Sequence, residues 1–546
     1  MTSTTDWRQL SLPRQVARLL VVRASGHLGD GQRRYPRWEL PNAELNRLLA
    51  EGLGGVILLG GSAAELRCRT DQLRHWAGHD LLLCADVEEG VGQRFEGATW
   101  LVPPLALGRL HGSDPTRALA LAAAYGRCTG SQARQLGLNW VLAPVCDVNN
   151  NPANPVINVR AWGEDPNTAG QLAAAFILGA QAEGVLACAK HFPGHGDTDS
   201  DSHLELPRLA HNRERLEAVE LPPFRAAIEA GVASVMTAHL LLPELDPGRP
   251  ATLSPVVLDQ LLRQEMGFGG LVVTDALVME AIAGRWGAGE AAVLAFEAGA
   301  DLVLMPADAD AAMAALLAAL ESGRISRGRL ERSLERREQA LSSVAAAATP
   351  AGSCAGSGAA GVEQLESVSD LGLARELVMV SLETQGRPGL PAGPGVNLIR
   401  LDSALANPFL PLMAPALQRP ALAGYAPCLI DGRSPSPWSG DPAAPLALER
   451  LAPGPVLLQL FVRGNPFRGS AGGEEPWPAG VRQLLVAGRL AALAVYGSPY
   501  LWQALQPLLP EGLPAAYGPG LMPLAQALLL DGLGLAGDGP EGGFTD

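Results

Sequence analysis

Lysine is almost absent from this chain. Of 41 basic residues, 40 are arginine and one, Lys190, is lysine. Arginine cannot deliver a compact ammonium into a tight pocket, and lysine can. Lys190 also ends an apolar run, where an unpaired charge would be costly. A single lysine preceded by Ala189 rules out a Walker A loop. Histidine is missing after His239, although nine are present before or at it, so acid/base chemistry is expected in the first part of the chain. Long apolar runs are missing too. None approaches the ~18 residues that span a bilayer. Met1–Leu12 has no apolar signal core, and Leu19–Val22 is short and flanked by Arg18 and Arg23. The seven cysteines (Cys68, Cys84, Cys128, Cys146, Cys188, Cys354 and Cys428) show neither CxxC nor zinc-ribbon spacing. An odd number without a framework points to a reducing compartment, and a cytoplasmic location is expected. A dense basic surface is lacking: the net charge of −15 argues against nucleic acid and against anionic lipid. GxSxG and HExxH are absent. Gly532–Gly537 matches GxGxxG by letter only, with no helix expected after it.

What is present is an alternation. A chain of 546 residues calls for two domains. Over residues 1–342, eight short apolar runs alternate with longer helix-like stretches: Leu19–Val22, Val56–Leu59, Leu81–Asp86, Trp140–Val145, Val185–Lys190, Ala233–His239, Leu271–Asp275 and Asp301–Met305. Strands covered on both faces read as continuous apolar runs. Eight strand–helix repeats predict an α/β fold of the TIM-type (β/α)₈ barrel class, with a doubly wound open sheet as the alternative. Residues 343–361, rich in Ala, Gly and Ser, read as a linker. Residues 362–546 read as a smaller α/β domain with strands at Val396–Leu401, Val456–Phe461 and Leu490–Tyr496, and with a disordered tail after Gly537.

Chemistry concentrates in KHFPGHGDTDSDSH, from Lys190 to His203. Pro193, Gly194 and Gly196 mark it as a loop, and in a barrel the loops after the strands build the active site. Three readings stand side by side. As a calcium loop it fails, because the required Gly and Glu fall on Ser202 and Arg208; zinc on His191, His195 and His203 fits no standard spacing. It reads also as a solvated acidic turn. The third reading is a loop that delivers an Asp–His pair, with Asp201 orienting His203. Asp86 and Asp275 each end an apolar run and so point toward the barrel mouth, although either also suits a cap or turn. Arg94 and Arg160 follow strands and suit a clamp on hydroxyls or a carboxylate, or a surface ion pair.

Five blocks in order carry a resemblance: DVEEGVGQRF (Asp86–Phe95), APVCDVNNNPANPVINVRAWGEDP (Ala143–Pro166), the Lys190–His203 loop, VMTAHL (Val235–Leu240) and GFGGLVVTDALVMEAI (Gly267–Ile282). The chain resembles glycoside hydrolase family 3, in its β-N-acetylhexosaminidase branch. Residues 456–530 weakly resemble the α/β-sandwich domain that often follows that family's barrel. The resemblance implies a retaining glycosidase that forms a glycosyl-enzyme. It places the nucleophile at Asp275, the acid/base pair at His203 and Asp201, and sugar contacts at Asp86, Arg94, Arg160, Lys190 and His191. It implies release of terminal β-N-acetylglucosamine from cell-wall fragments, as in peptidoglycan recycling, or from chitooligosaccharides. β-Glucosidase or phosphorylase chemistry on the same site, and a non-catalytic sugar-binding protein, are the alternatives. No metal or other cofactor is expected, and the expected partner is a small carbohydrate, with no nucleic acid or membrane. One departure stands out. The family's first block usually reads D-x-E-G-G-R, whereas Glu89, Gly90 and Val91 fill the last three places here.

Overall fold

The structure is a computed structural model that describes residues 6–198, 206–347, 365–401, 409–430, 438–441, 444–463 and 475–536. Two compact units divide it, Met1–Leu373 and Ala374–Asp546.

The first unit carries eight short parallel strands. They are β1 (Leu20–Ser25), β2 (Gly55–Leu59), β3 (Leu82–Ala85), β4 (Trp140–Val141), β5 (Cys188–Phe192), β6 (Ser234–Thr237), β7 (Leu271–Val273) and β8 (Val303–Leu304). β8 pairs with β1, and β1 to β4 follow in order; β5, β6 and β7 form a second run. Parallel bridges between Trp140 and Leu186 and between Val273 and Leu302 join the two runs at both seams. The ring therefore closes in chain order, which decides for the barrel over the open sheet. Each strand coincides with one of the apolar runs of the sequence. Every strand also contributes to one buried cluster that includes Val21, Ile57, Cys84, Trp140, Cys188, Met236, Val273 and Leu304. The interior is thus a packed core, and the open chemistry lies at the strand ends.

Helices between the strands start at readable signals. Asp114 and Asp165 each precede a proline and accept a hydrogen bond from the backbone N–H three residues on. A proline at the first helical position gives up an N–H that would have no partner there anyway. The helices they open, Pro115–Gln135 and Pro166–Ala182, pack against each other outside the barrel. The closing helix, α1 (Arg327–Ala347), runs past residue 342, where the linker was expected to begin. Its last residues are mostly alanine, the best helix former, so small-residue composition alone misplaced the boundary. The rest of the expected linker and the tail after Gly537 lie outside the described residues. The compact units part at Leu373, within the helix Val368–Ser381.

The second unit is a six-stranded sheet of β9 (Glu383–Gln385), β10 (Gly395–Leu401), β11 (Tyr425–Ile430), β12 (Val456–Val462), β13 (Leu490–Gly497) and β14 (Ala515–Gly518). Its spatial order is β9-β14-β13-β12-β10-β11, parallel except for the edge strand β9. Every residue of β10 and β13 is buried, so both faces of the sheet are covered. The three strands expected from sequence are β10, β12 and β13. β11 escaped because it is an edge strand with exposed positions and an internal Pro427. No described helix is long and apolar enough to cross a membrane.

Candidate active site

The mouth of the barrel is built around Lys190. Its ammonium is buried and donates to Asp86 Oδ1 at 2.7 Å and to Glu88 Oε1 at 2.6 Å. Arg160 grips Glu88 from the other side, with Nε and Nη2 each 2.8 Å from a carboxylate oxygen. Burial works against the charges of Glu88 and Lys190, but the pairing outweighs it. Arg160 and Lys190 hold the Glu88 carboxyl well below the usual range, and Asp86 and Glu88 raise the Lys190 ammonium. Asp86 is the most open member, with its side chain 36% exposed. Arg94 braces it from behind, through a 2.8 Å bond from Nε to the Asp86 carbonyl oxygen.

Glu88 was not singled out from the sequence. The signal was available, because it stands two residues beyond a strand-end Asp, in a chain with one lysine to neutralise. The departure at Glu89–Val91 is accommodated locally. Glu89 is buried and accepts from the Trp100 indole at 3.0 Å, and Val91 is buried too.

Asp147 is a second omission, two residues past an expected strand. It is wholly buried, with Oδ2 2.8 Å from His191 Nδ1 and Oδ1 accepting the His195 N–H at 2.7 Å. Burial opposes its charge, yet His191 and His195 bring its pKa below the ordinary carboxylate value. A carboxylate only accepts, so His191 carries its proton on Nδ1. The structure therefore brings Asp86, Arg94, Arg160 and Lys190 into one network and ties His191 to Asp147 beside it. His195 Nδ1 meets Thr198 Oγ1 at 2.8 Å. Burial pushes the His195 imidazole down to about 4, against the pull of Asp147.

Asp275 stands two residues past the end of β7 and is half-buried. Its Oδ1 accepts the Ala276 N–H at 2.7 Å. His239, in the VMTAHL block, donates from Nε2 to the Ala276 carbonyl at 3.0 Å and so buttresses that turn. The Asp275 charge is felt by His195 across the mouth. Asp201 and His203 lie outside the described residues.

Among the described residues, one cluster has metal-ligand character. Ligand atoms of Asp197, His211 and Glu220 all lie within 4.8 Å of one another. Arg215 Nη2, however, sits 3.2 Å from both carboxylates. A guanidinium already supplies there the positive charge that a cation would bring.

Family comparisons agree with this geometry. The profile of the Glycosyl hydrolase family 3 N terminal domain matches residues 11–339, and that of the Bacterial Glycosyl hydrolase family 3 C-terminal domain matches residues 392–534. The chain belongs to glycosyl hydrolase family 3. Within that family it is similar to Beta-hexosaminidase A of Pseudoalteromonas piscicida, 35% identical over 325 residues, 54% of each chain. It thus spans about half the length of that relative. It is 37% identical over 273 residues to the Beta-hexosaminidase of Neisseria meningitidis serogroup C, covering 49% of this chain and 75% of that one. The solved family 3 β-N-acetylglucosaminidase from Paenibacillus sp. str. FPU-7 superposes over 97% of both chains, with a TM-score of 0.75 and 30% identity.

Proposed function

We propose that this family 3 enzyme is a retaining glycosidase that releases terminal β-linked N-acetylglucosamine from a small carbohydrate. The observation that carries the reading is the buried Lys190, braced between Glu88 and the open carboxylate of Asp86 at the same mouth as Asp275. A fixed, partly desolvated charge network of this kind orients sugar hydroxyls without reorganising during the reaction. Asp275 attacks the anomeric carbon, the glycosidic C–O bond breaks, and a glycosyl-enzyme forms. His203, oriented by Asp201, protonates the departing oxygen. It then takes a proton from water as that water displaces Asp275, which restores the enzyme. The names of the hexosaminidase and β-N-acetylglucosaminidase relatives support the acetamido preference. A cytoplasmic location is part of the proposal. It is supported by the free thiols of Cys68, Cys84, Cys128, Cys146, Cys188 and Cys428.

The test is hydrolysis of nitrophenyl-GlcNAc against nitrophenyl-glucose, with and without phosphate. The GlcNAc substrate should be strongly preferred, and phosphate should leave the rate and the free-sugar product unchanged. Glucose preference, or a sugar phosphate as product, would overturn the reading.

A further inference from the structure

We propose that Arg215 is a positioning residue for acid/base catalysis, acting through Asp197 on the loop that leads to Asp201 and His203. The inference rests on the reading of that pair as the acid/base group.

The loop leaving β5 is pinned almost residue by residue as far as Thr198. The His195 N–H is held by Asp147, and Asn154 Nδ2 donates to the carbonyls of His195 and Gly196 at 2.8 and 2.9 Å. Gly194 has φ +135°, and a Cβ there would come within 2.8 Å of Glu220. A Cβ on Gly196 would meet the Val148 carbonyl oxygen at 1.7 Å, so only glycine lets the loop lie this close to the segment after β4.

Asp197 departs from this pattern. Its carboxylate turns to the segment that begins the next helix, with Oδ2 2.9 Å from His211 Nε2 and 3.2 Å from Arg215 Nη2. The same Nη2 lies 3.2 Å from Glu220 Oε1, and Glu220 is 3% exposed. Arg215 is itself fixed, because Asn212 caps its turn by accepting the Arg215 N–H at 2.9 Å. One guanidinium thus ties a loop carboxylate to a buried carboxylate on the barrel wall. Asp197 stands four residues before Asp201, a reach of at most ~14 Å of chain. The carboxylates that Arg215 grips, Asp197 and Glu220, are not members of the network of Asp86, Glu88, Arg160 and Lys190, so its effect should be separable from sugar binding.

General-acid catalysis matters in proportion to how poor the leaving group is. The readout is therefore the ratio of kcat/KM for a GlcNAc disaccharide to that for dinitrophenyl-GlcNAc, measured in the full-length enzyme. In Arg215→Met the ratio should fall about tenfold or more, toward the ~10²-fold that a misplacement of ~1 Å costs. Arg215→Lys should recover part of the loss, since a point charge bridges two carboxylates poorly. Asp197→Asn, a partly exposed site less exposed to folding failure, should show the same selective fall. His203→Ala serves as the reference and should show a larger one. If Arg215→Met and Asp197→Asn slow both substrates in parallel, or slow neither, while His203→Ala is selective, the positioning role is overturned. If His203→Ala is itself unselective in folded protein, the acid/base reading falls and this inference falls with it.

Discussion

Lys190 is buried between two carboxylates, and Glu88 is buried between two cations. Removing one partner of such a set leaves an uncompensated charge, which typically costs about 3–5 kcal/mol. Glu88→Gln should therefore lower stability to denaturant at pH 7 by roughly that much and weaken sugar binding as well. Because the folded pKa of Glu88 lies below the ordinary value, its contribution is complete above about pH 4.3 and is lost as pH falls through the folded value. The gap between wild type and Glu88→Gln should narrow in acid; a gap constant down to pH 2 would refute the charge pairing. Asp275 is tested differently. Asp275→Ala should abolish turnover with the fold intact, and a fluoro-sugar inactivator should label Asp275 in the wild type. Label on any other carboxylate of the active enzyme would remove Asp275 as nucleophile.

At the scale of an element, the loop after β5 is a short polar structure packed at the mouth of an apolar barrel. His195 illustrates the consequence. It is 2% exposed, and its pKa is depressed to about 4 by burial. Below the ordinary histidine value of about 6.5 the unfolded chain takes up a proton that the folded chain refuses. Stability from this group is thus complete above pH 6.5 and declines between 6.5 and 4, by up to about 3 kcal/mol. His79, depressed to about 4 chiefly by burial, acts in the same sense. Thermal unfolding followed from pH 7 to pH 4 should show falling stability, and His195→Asn should flatten that slope. An unchanged slope in the variant would mean that burial does not depress the His195 pKa in the folded protein.

For the whole molecule, the barrel floor is as organised as its mouth. Asp301, just before β8, is wholly buried and gathers Arg263, Arg329, Arg336 and the Ser333 hydroxyl, which ties α1 to the strands. Asp301→Ala should cost about 3–5 kcal/mol by leaving the guanidiniums without their shared anion, yet leave kcat/KM unchanged where the protein is folded. A selective loss of activity without loss of stability would contradict this structural role. The sequence alone determined the eight strands, because a strand buried on both faces must be apolar throughout, and period and length show it directly. It also singled out Lys190, Asp86 and Asp275 at the ends of apolar runs, where a charge is costly unless used, and left Arg94 and Arg160 open between a clamp and a surface ion pair. Tertiary structure alone decided which charges meet. Glu88 lies 72 residues from Arg160, and Asp147 lies 44 from His191. Nothing local in the chain records such pairings, because ring closure, not sequence proximity, brings β3, β4 and β5 side by side. The same holds for Arg215, which reads as one more surface arginine until the fold sets it between Asp197 and Glu220.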